Sequence, residues 1–174
     1  MLNDLALKYG TDKAPELKHH YTEFYESMFQ GKRGAVKKVV EIGIGTGASL
    51  RMWRDYFPNA QVYGADISTD TLFQDERIET MQCDQRNRAD LERLVSRTGA
   101  DVDLFIDDGL HRWYHQANTC KTVMPWLQKR AVYVIEDVHS PNDIIKQLDG
   151  YAYEEIRDAR AKHKDDRLLL VRHR

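Results

Sequence analysis

In LFIDDGLHRW, residues 104–113, an apolar run stops at two adjacent carboxylates, Asp107 and Asp108, with His111 three residues further on. A second apolar run, AVYVIEDVH, ends in the same manner, in Glu136, Asp137 and His139. These residue types offer two kinds of chemistry. A histidine with a pKa near ~6.5 is mostly neutral at pH 7 and accepts a proton, while clustered carboxylate oxygens suit a hard divalent cation. Like charges side by side repel, so acids that converge need a compensating cation or full exposure to water. Magnesium resolves the repulsion most readily and leaves positions for water and a substrate oxygen.

A third segment, VVEIGIGTGAS, carries Gly43, Gly45 and Gly47, which let a backbone turn tightly and approach a ligand closely. Gly43, Gly45 and Ala48 also fit the dinucleotide fingerprint, and Asp66, about 20 residues on, suits a ribose hydroxyl for either class of ligand. Glu41 separates the two. A carboxylate just before the glycines favours a ligand with a positive amino or sulfonium group and repels a pyrophosphate.

The elements that must hold these residues alternate along the chain. Strand patterns at 36–45, 61–68, 78–84, 102–108 and 131–137 are interleaved with helical spacing at 47–57, 87–99, 111–128 and 140–150, the last with Ser140 as N-cap and Pro141 after it. Such alternation predicts an α/β fold with a mostly parallel sheet covered on both faces by helices. The runs 151–160 and 166–174 are joined by too few residues for a crossover helix, so they are expected to close the sheet as an antiparallel hairpin, giving seven strands. Ligands in such sheets bind at the carboxyl ends of the strands, where strand order reverses. Neighbouring strand ends lie about 5 Å apart, so the acids at 108 and 136–137 should meet there. Side chains alternate faces along a strand, so only one of Asp107 and Asp108 is expected to reach an ion.

The 174 residues are expected to form one domain, with 1–34 as a helical lid or cap and 35–174 as the core. Lys and Arg number 26 against 28 Asp and Glu, a net charge of −2, which leaves no surplus to neutralise phosphates and argues against a nucleic-acid partner. Cys83 and Cys120 lack metal-knuckle or oxidoreductase spacing and read as reduced thiols in a cytoplasmic protein. No stretch approaches the ~20 apolar residues of a membrane span.

The segment from Glu41 to Gly47 resembles the first motif, [DE]-x-G-x-G-x-G, of the class I S-adenosylmethionine-dependent methyltransferases, and the order of elements is similar over nearly the whole chain. The resemblance implies their Rossmann-like fold and cofactor. It places Asp66 on the ribose hydroxyls, Asp84 on the adenine amino group, Ile67 and Gln85 along the adenine, and Asp107 with the cofactor-binding set. The acids narrow it to metal-dependent O-methyltransferases, closest to the macrolide-sugar and cephalosporin-pathway types. There the implied metal ligands are Asp108, Glu136 and Asp137, and the implied general base is His111. KYGTDK and HHYTEFYE are similar to segments that close over the cofactor in these enzymes, with Tyr21 nearby, although APELKHH lengthens the link between them. The resemblance implies O-methyl transfer to a hydroxylated small-molecule acceptor, a sugar, polyketide or other natural product; some macrolide enzymes use a further N-terminal region to assemble and to build the acceptor pocket, so the acceptor's identity is not carried over and a homo-oligomer stays open. A nicotinamide-dependent oxidoreductase and a non-catalytic S-adenosylmethionine-binding module are the competing expectations. The first explains no acid cluster, and the second gains nothing from one.

Overall fold

The structure is a computed structural model that describes all 174 residues. Two N-terminal helices, α1 (Leu2–Tyr9) and α2 (Tyr21–Phe29), precede the strands β1 (Lys38–Ile42), β2 (Gln61–Asp66), β3 (Gln74–Asp75), β4 (Ile78–Gln82), β5 (Leu104–Asp107) and β6 (Val132–Ile135). Between them run α3 (Ala48–Tyr56), α4 (Arg88–Thr98) and α5 (Trp113–Val123); α6 (Pro141–Ile145) leads into β7 (Tyr151–Ile156) and β8 (Leu168–His173). The sheet order is β3-β4-β2-β1-β5-β6-β8-β7, with β4, β2, β1, β5 and β6 parallel and β8 antiparallel to both β6 and β7. The α/β class and the terminal hairpin match the expectation. An eighth strand was not foreseen: the two residues of β3 pair antiparallel with the edge of β4. From β1 the chain builds outward through β2 to β4 and then returns to β5 on the other side of β1. The β1/β5 boundary is therefore the crevice where a ligand binds.

Two helices are shorter than their apolar patterns. Pro125 supplies no N–H, so α5 ends at Val123 and its last turn tightens into a 3₁₀ segment, Met124–Trp126. Ser140 stands at the N-cap position of α6, but its side chain makes no capping hydrogen bond, and the helix stops after five residues.

The sheet separates two apolar clusters. Val39 of β1, Leu104 and Ile106 of β5, and Val132 and Val134 of β6 face α1, α2 and α3, packing with Tyr25, Trp53 and Phe57. Val40, Ile42, Phe105, Tyr133 and Ile135 face the opposite way, with Leu91, Leu94, Cys120 and Val123 of α4 and α5. Cys83 and Cys120 are both buried and unpaired. No helix is long and apolar enough to cross a membrane.

The N-terminal helices are packed cap rather than detached flap. Leu2 and Ala6 of α1 are buried against α3, and Asp55 of α3 accepts from Tyr9 Oη, Lys8 Nζ (3.1 Å) and Arg54 Nε (2.9 Å). Partial burial pushes the Asp55 carboxyl up, but these three donors outweigh it and bring it down from 3.8 to about 2. A depressed carboxylate contributes stability that is full above its ordinary pKa and lost as pH falls through the folded value. We therefore expect an acid-sensitive limb between about pH 4 and pH 2, read by fluorescence of the buried Trp53, and a flatter limb in Asp55→Asn.

Candidate active site

Side-chain alternation decides where each acid goes. In β1, Val39 faces α3, so Glu41, two residues on, faces the same side, while Val40 and Ile42 face α4 and α5. The pairing register sets Ile42 level with Asp107 of β5 and Asp107 level with Ile135 of β6. Asp107 thus shares the α4/α5 side with Ile135, and the next residues, Asp108 and Glu136, return to the side of Glu41. Three carboxylates from three adjacent strand ends collect on one face of the sheet.

The cation that meets them is a side chain. Lys13, delivered by the segment between α1 and α2, is 1% exposed and places its ammonium 2.7 Å from Asp108 Oδ2 and 3.3 Å from Glu41 Oε1, in direct contact with Glu136 Oε2. Tyr25 Oη donates to Glu136 Oε1 at 2.6 Å and Trp53 Nε1 to Glu41 Oε2 at 2.9 Å. Burial disfavours the Lys13 charge, but the surrounding acids hold its pKa well above the usual lysine value. Burial raises Glu41 to about 7 against the pull of Lys13, and it drives Glu136 well above the carboxylate range, helped by the Asp108 charge. Burial would raise Asp108 as well, yet Lys13 and His111 beside it keep that carboxyl near about 2. Asp108 therefore keeps its negative charge while its buried neighbours favour protons.

The opposite oxygen of Asp108 faces a second cluster. Asp108 Oδ1 is 3.3 Å from His111 Nε2, and His111 Nδ1 is 3.4 Å from Asp137 Oδ2. One ligand atom from each of Asp108, His111 and Asp137 lies within 4.8 Å of the others. Asp137 has φ 51°, a left-handed conformation that Asp tolerates at a cost of about 1–3 kcal/mol when its surroundings fix it. They do so here. Tyr21 Oη donates to Asp137 Oδ1 at 2.7 Å, and His19, stacked on Tyr21, sits with Nε2 3.4 Å from the same oxygen and Nδ1 3.3 Å from buried Asp166. Proximity to Asp108 raises the His111 pKa above 6.5, with burial opposing and Asp137 reinforcing the shift.

The second cluster borders a cavity of 580 Å³ at the β1/β5 crevice, which the first cluster reaches only through Asp108. Asp108, His111 and Asp137 line it, together with Gly43, Gly45, Asp66, Ile67, Asp84 and Gln85 of the expected cofactor set. Gly43, at φ 96°, is fixed by sterics as well as by conformation. A Cβ there would run into the backbone carbonyl of Asp108, so the glycine turn and the acidic strand end touch only because no side chain intervenes. Asp66 accepts from Ile44 N at 2.8 Å and from Ser68 N at 2.9 Å, which fixes its carboxylate beside the glycine turn. Asp84 is gripped by Arg86, with Nε and Nη2 each 2.9 Å from a carboxylate oxygen.

Five expected residues stand elsewhere. Glu136 does not join Asp108 and Asp137 at the cavity; both its oxygens are turned onto Lys13 and Tyr25. Glu41 lies beneath the glycine turn rather than on the cavity wall, and Gly47 serves as the left-handed N-cap of α3, close to Phe73. Asp107 is fully buried and accepts from Gln85 Nε2 at 2.6 Å, so it orients Gln85 from behind. Tyr21 is buried on Asp137 rather than facing the cavity. His139, outside the expected set, is 54% exposed and borders Asp165. Lys13, His19, Tyr25 and Asp166 were not anticipated. The sequence signal for Lys13 was present, because converging acids demand a cation and GTDK supplies one beside the cofactor segment.

A sequence model of the FtsJ-like methyltransferases matches residues 15–168. Among curated relatives, the 8-demethyl-8-alpha-L-rhamnosyl tetracenomycin-C 2'-O-methyltransferase of Streptomyces olivaceus is 38% identical over 146 residues, covering 80% of this chain and 38% of the relative. The mycinamicin VI 2''-O-methyltransferase of Micromonospora griseorubida is 36% identical over 144 residues, covering 79% of this chain and 36% of the relative. Among solved structures, the MycE methyltransferase from the mycinamycin biosynthetic pathway, in complex with Mg, SAH and mycinamycin VI, aligns with a TM-score of 0.72 at 36% identity, over 78% of this chain and 38% of that one. The chain spans less than two fifths of the length of these proteins. The family match takes in the glycine turn, both acidic strand ends and the terminal hairpin as far as the first residue of β8, and on that coverage the chain belongs to the FtsJ-like methyltransferase family.

Proposed function

We propose that this chain transfers the methyl group of S-adenosylmethionine to a hydroxyl of a small natural-product acceptor, a sugar attached to a polyketide in particular, with the help of a divalent cation. The observation that carries the reading is the convergence of Asp108, His111 and Asp137 on the wall of the cavity that the glycine turn also lines. The relatives support the acceptor class, since two of them are named as O-methyltransferases of a rhamnosyl tetracenomycin and of mycinamicin VI.

In this reading Gly43 and Gly45 admit the cofactor to the backbone, Asp66 accepts from the ribose hydroxyls, and Ile67, Gln85 and Asp84 border the adenine. Asp108 and Asp137 offer the oxygen donors that a hard cation takes, at a site where buried His111 Nε2 has no aligned hydrogen-bond partner. The ion, when bound, stabilises negative charge on the acceptor oxygen as its proton leaves. His111 takes that proton, and the fixed carboxylates beside it stabilise the imidazolium that results. Lys18, Asp12 and Thr11 complete the wall from the N-terminal side.

The test is methyl transfer from labelled S-adenosylmethionine to rhamnosylated polyketide and macrolide acceptors in Mg²⁺. Transfer that vanishes in EDTA and returns with Mg²⁺ is the expected result. Full activity in chelator would remove the cation from the mechanism, and binding of NAD with no binding of S-adenosylhomocysteine would replace the cofactor.

A further inference from the structure

Two buried polar side chains that the proposed chemistry leaves unused stand behind Asp137. His19 comes from the segment between α1 and α2, and Asp166 from the loop between β7 and β8. They are 1% and 2% exposed, and neither lines the cavity. His19 Nδ1 lies 3.3 Å from Asp166 Oδ1, the imidazole stacks on the Tyr21 ring at a centroid distance of 4.7 Å, and Nε2 is held 3.4 Å from Asp137 Oδ1. Tyr21 Oη donates to that same Asp137 oxygen at 2.7 Å and also reaches the carbonyl of Asp165 at 3.2 Å. His20 stands at the N-cap of α2 without a side-chain capping bond, and its buried Nδ1 has no partner. Of the two adjacent histidines, it is His19 that reaches Asp137.

We propose that His19 and Asp166 form a positioning pair that aims the Asp137 carboxylate and thereby sets the affinity of the outer cluster for a divalent cation. The inference rests on the reading of the site as a cation-assisted methyltransferase. A carboxylate has two oxygens, and holding one decides where the other points. Oδ1 of Asp137 is kept inward by Tyr21 and His19, which leaves Oδ2 facing His111 Nδ1 at 3.4 Å. The backbone of Asp137, at φ 51°, lies in a region that an aspartate keeps only when its surroundings hold it there. Asp166 holds the imidazole in turn. Turning the ring away would leave a buried nitrogen and a buried carboxylate oxygen unpaired, which burial makes costly. Groups behind a metal ligand orient it, and their loss typically weakens metal binding by about 10–100-fold.

The experiment measures Mn²⁺ affinity of the full chain by electron paramagnetic resonance of free Mn²⁺, in saturating S-adenosylhomocysteine, whose own affinity is measured beside it. His19→Phe, which keeps a ring on Tyr21 but removes both nitrogens, should weaken Mn²⁺ about tenfold or more, and so should Asp166→Ala. Asp166→Asn, which still offers an oxygen to His19 Nδ1, should stay within about threefold of the parent. S-adenosylhomocysteine affinity should stay within about threefold throughout. The His19→Phe, Asp166→Ala double variant should bind Mn²⁺ no more weakly than the poorer single, because Asp166 acts through His19. Parent-like Mn²⁺ affinity in Asp166→Ala would overturn the proposal, whether or not His19→Phe folds. Equal losses of Mn²⁺ and S-adenosylhomocysteine, or losses that multiply in the double variant, would also overturn it. All three outcomes leave the cation-assisted reading standing. A parent that binds S-adenosylhomocysteine but no Mn²⁺ would overturn both.

Discussion

His111→Gln lowers methyl transfer by about 10²–10⁴-fold, the usual worth of a positioned general base, with S-adenosylhomocysteine binding unchanged within a few-fold. The substitution keeps a polar side chain of similar reach, so Asp108 and Asp137 retain a donor between them while the group that accepts a proton is lost. The imidazole sits 3.3 Å from one of these carboxylates and 3.4 Å from the other, which keeps it next to any oxygen held at the outer cluster. The same neighbours set its protonation. Asp108, against the effect of burial, raises the imidazole pKa above 6.5, so in the metal-free protein its NMR titration should fall above that value. Because the folded value is the higher one, the pairing contributes stability that is full below pH 6.5 and fades as pH rises through the folded pKa. A titration below 6.5 would show that the two carboxylates do not face the ring as described.

Asp108→Asn produces a loss of about 10³-fold, matching the few kcal/mol that a cation contributes to charge stabilisation at the reacting oxygen. The amide leaves the residue's shape in place but withdraws one of the two anionic donors from the outer cluster and one of the three carboxyl groups around Lys13. Mg²⁺ affinity should fall in parallel with activity. Cofactor binding should persist, because the glycine turn touches the backbone of Asp108 and not its carboxylate. The split between lost metal binding and retained S-adenosylhomocysteine binding distinguishes this outcome from general unfolding. Parallel loss of both would mean that the carboxylate supports the fold instead of the chemistry.

Much of this arrangement is legible in residue types and spacing. The β-branched run ending at Gly43 and the two apolar runs ending in acids require three strand ends to meet. The two-residue period of a strand already assigns Asp108 and Asp107 to opposite faces. The same parity, carried through the register, places Glu136 with Glu41 and Asp108 on the side of the N-terminal helices. That step needs the relative register of β1, β5 and β6, which no local pattern supplies. Asp137 escapes the parity rule because a left-handed backbone turns it, and only its contacts with Tyr21 and His19 reveal why such a conformation is kept.

The N-terminal segment was the least readable part. Charge repulsion among the acids asked for a cation, but it did not reveal that a lysine about 100 positions away faces Glu41, Asp108 and Glu136. Lys13 and His19 lie in a polar stretch without helical or strand periodicity, and their burial comes from tertiary packing alone. Likewise β3 pairs through only two residues, Gln74 and Asp75, too short a run to show an alternating pattern.

The most direct measurement is a crystal of the protein grown with S-adenosylhomocysteine and Mn²⁺, with anomalous scattering recorded at the manganese edge. The predicted result is one peak at the Asp108 and Asp137 carboxylates beside His111, on the wall of the cavity. No peak at these strand ends, with S-adenosylhomocysteine bound, would contradict it.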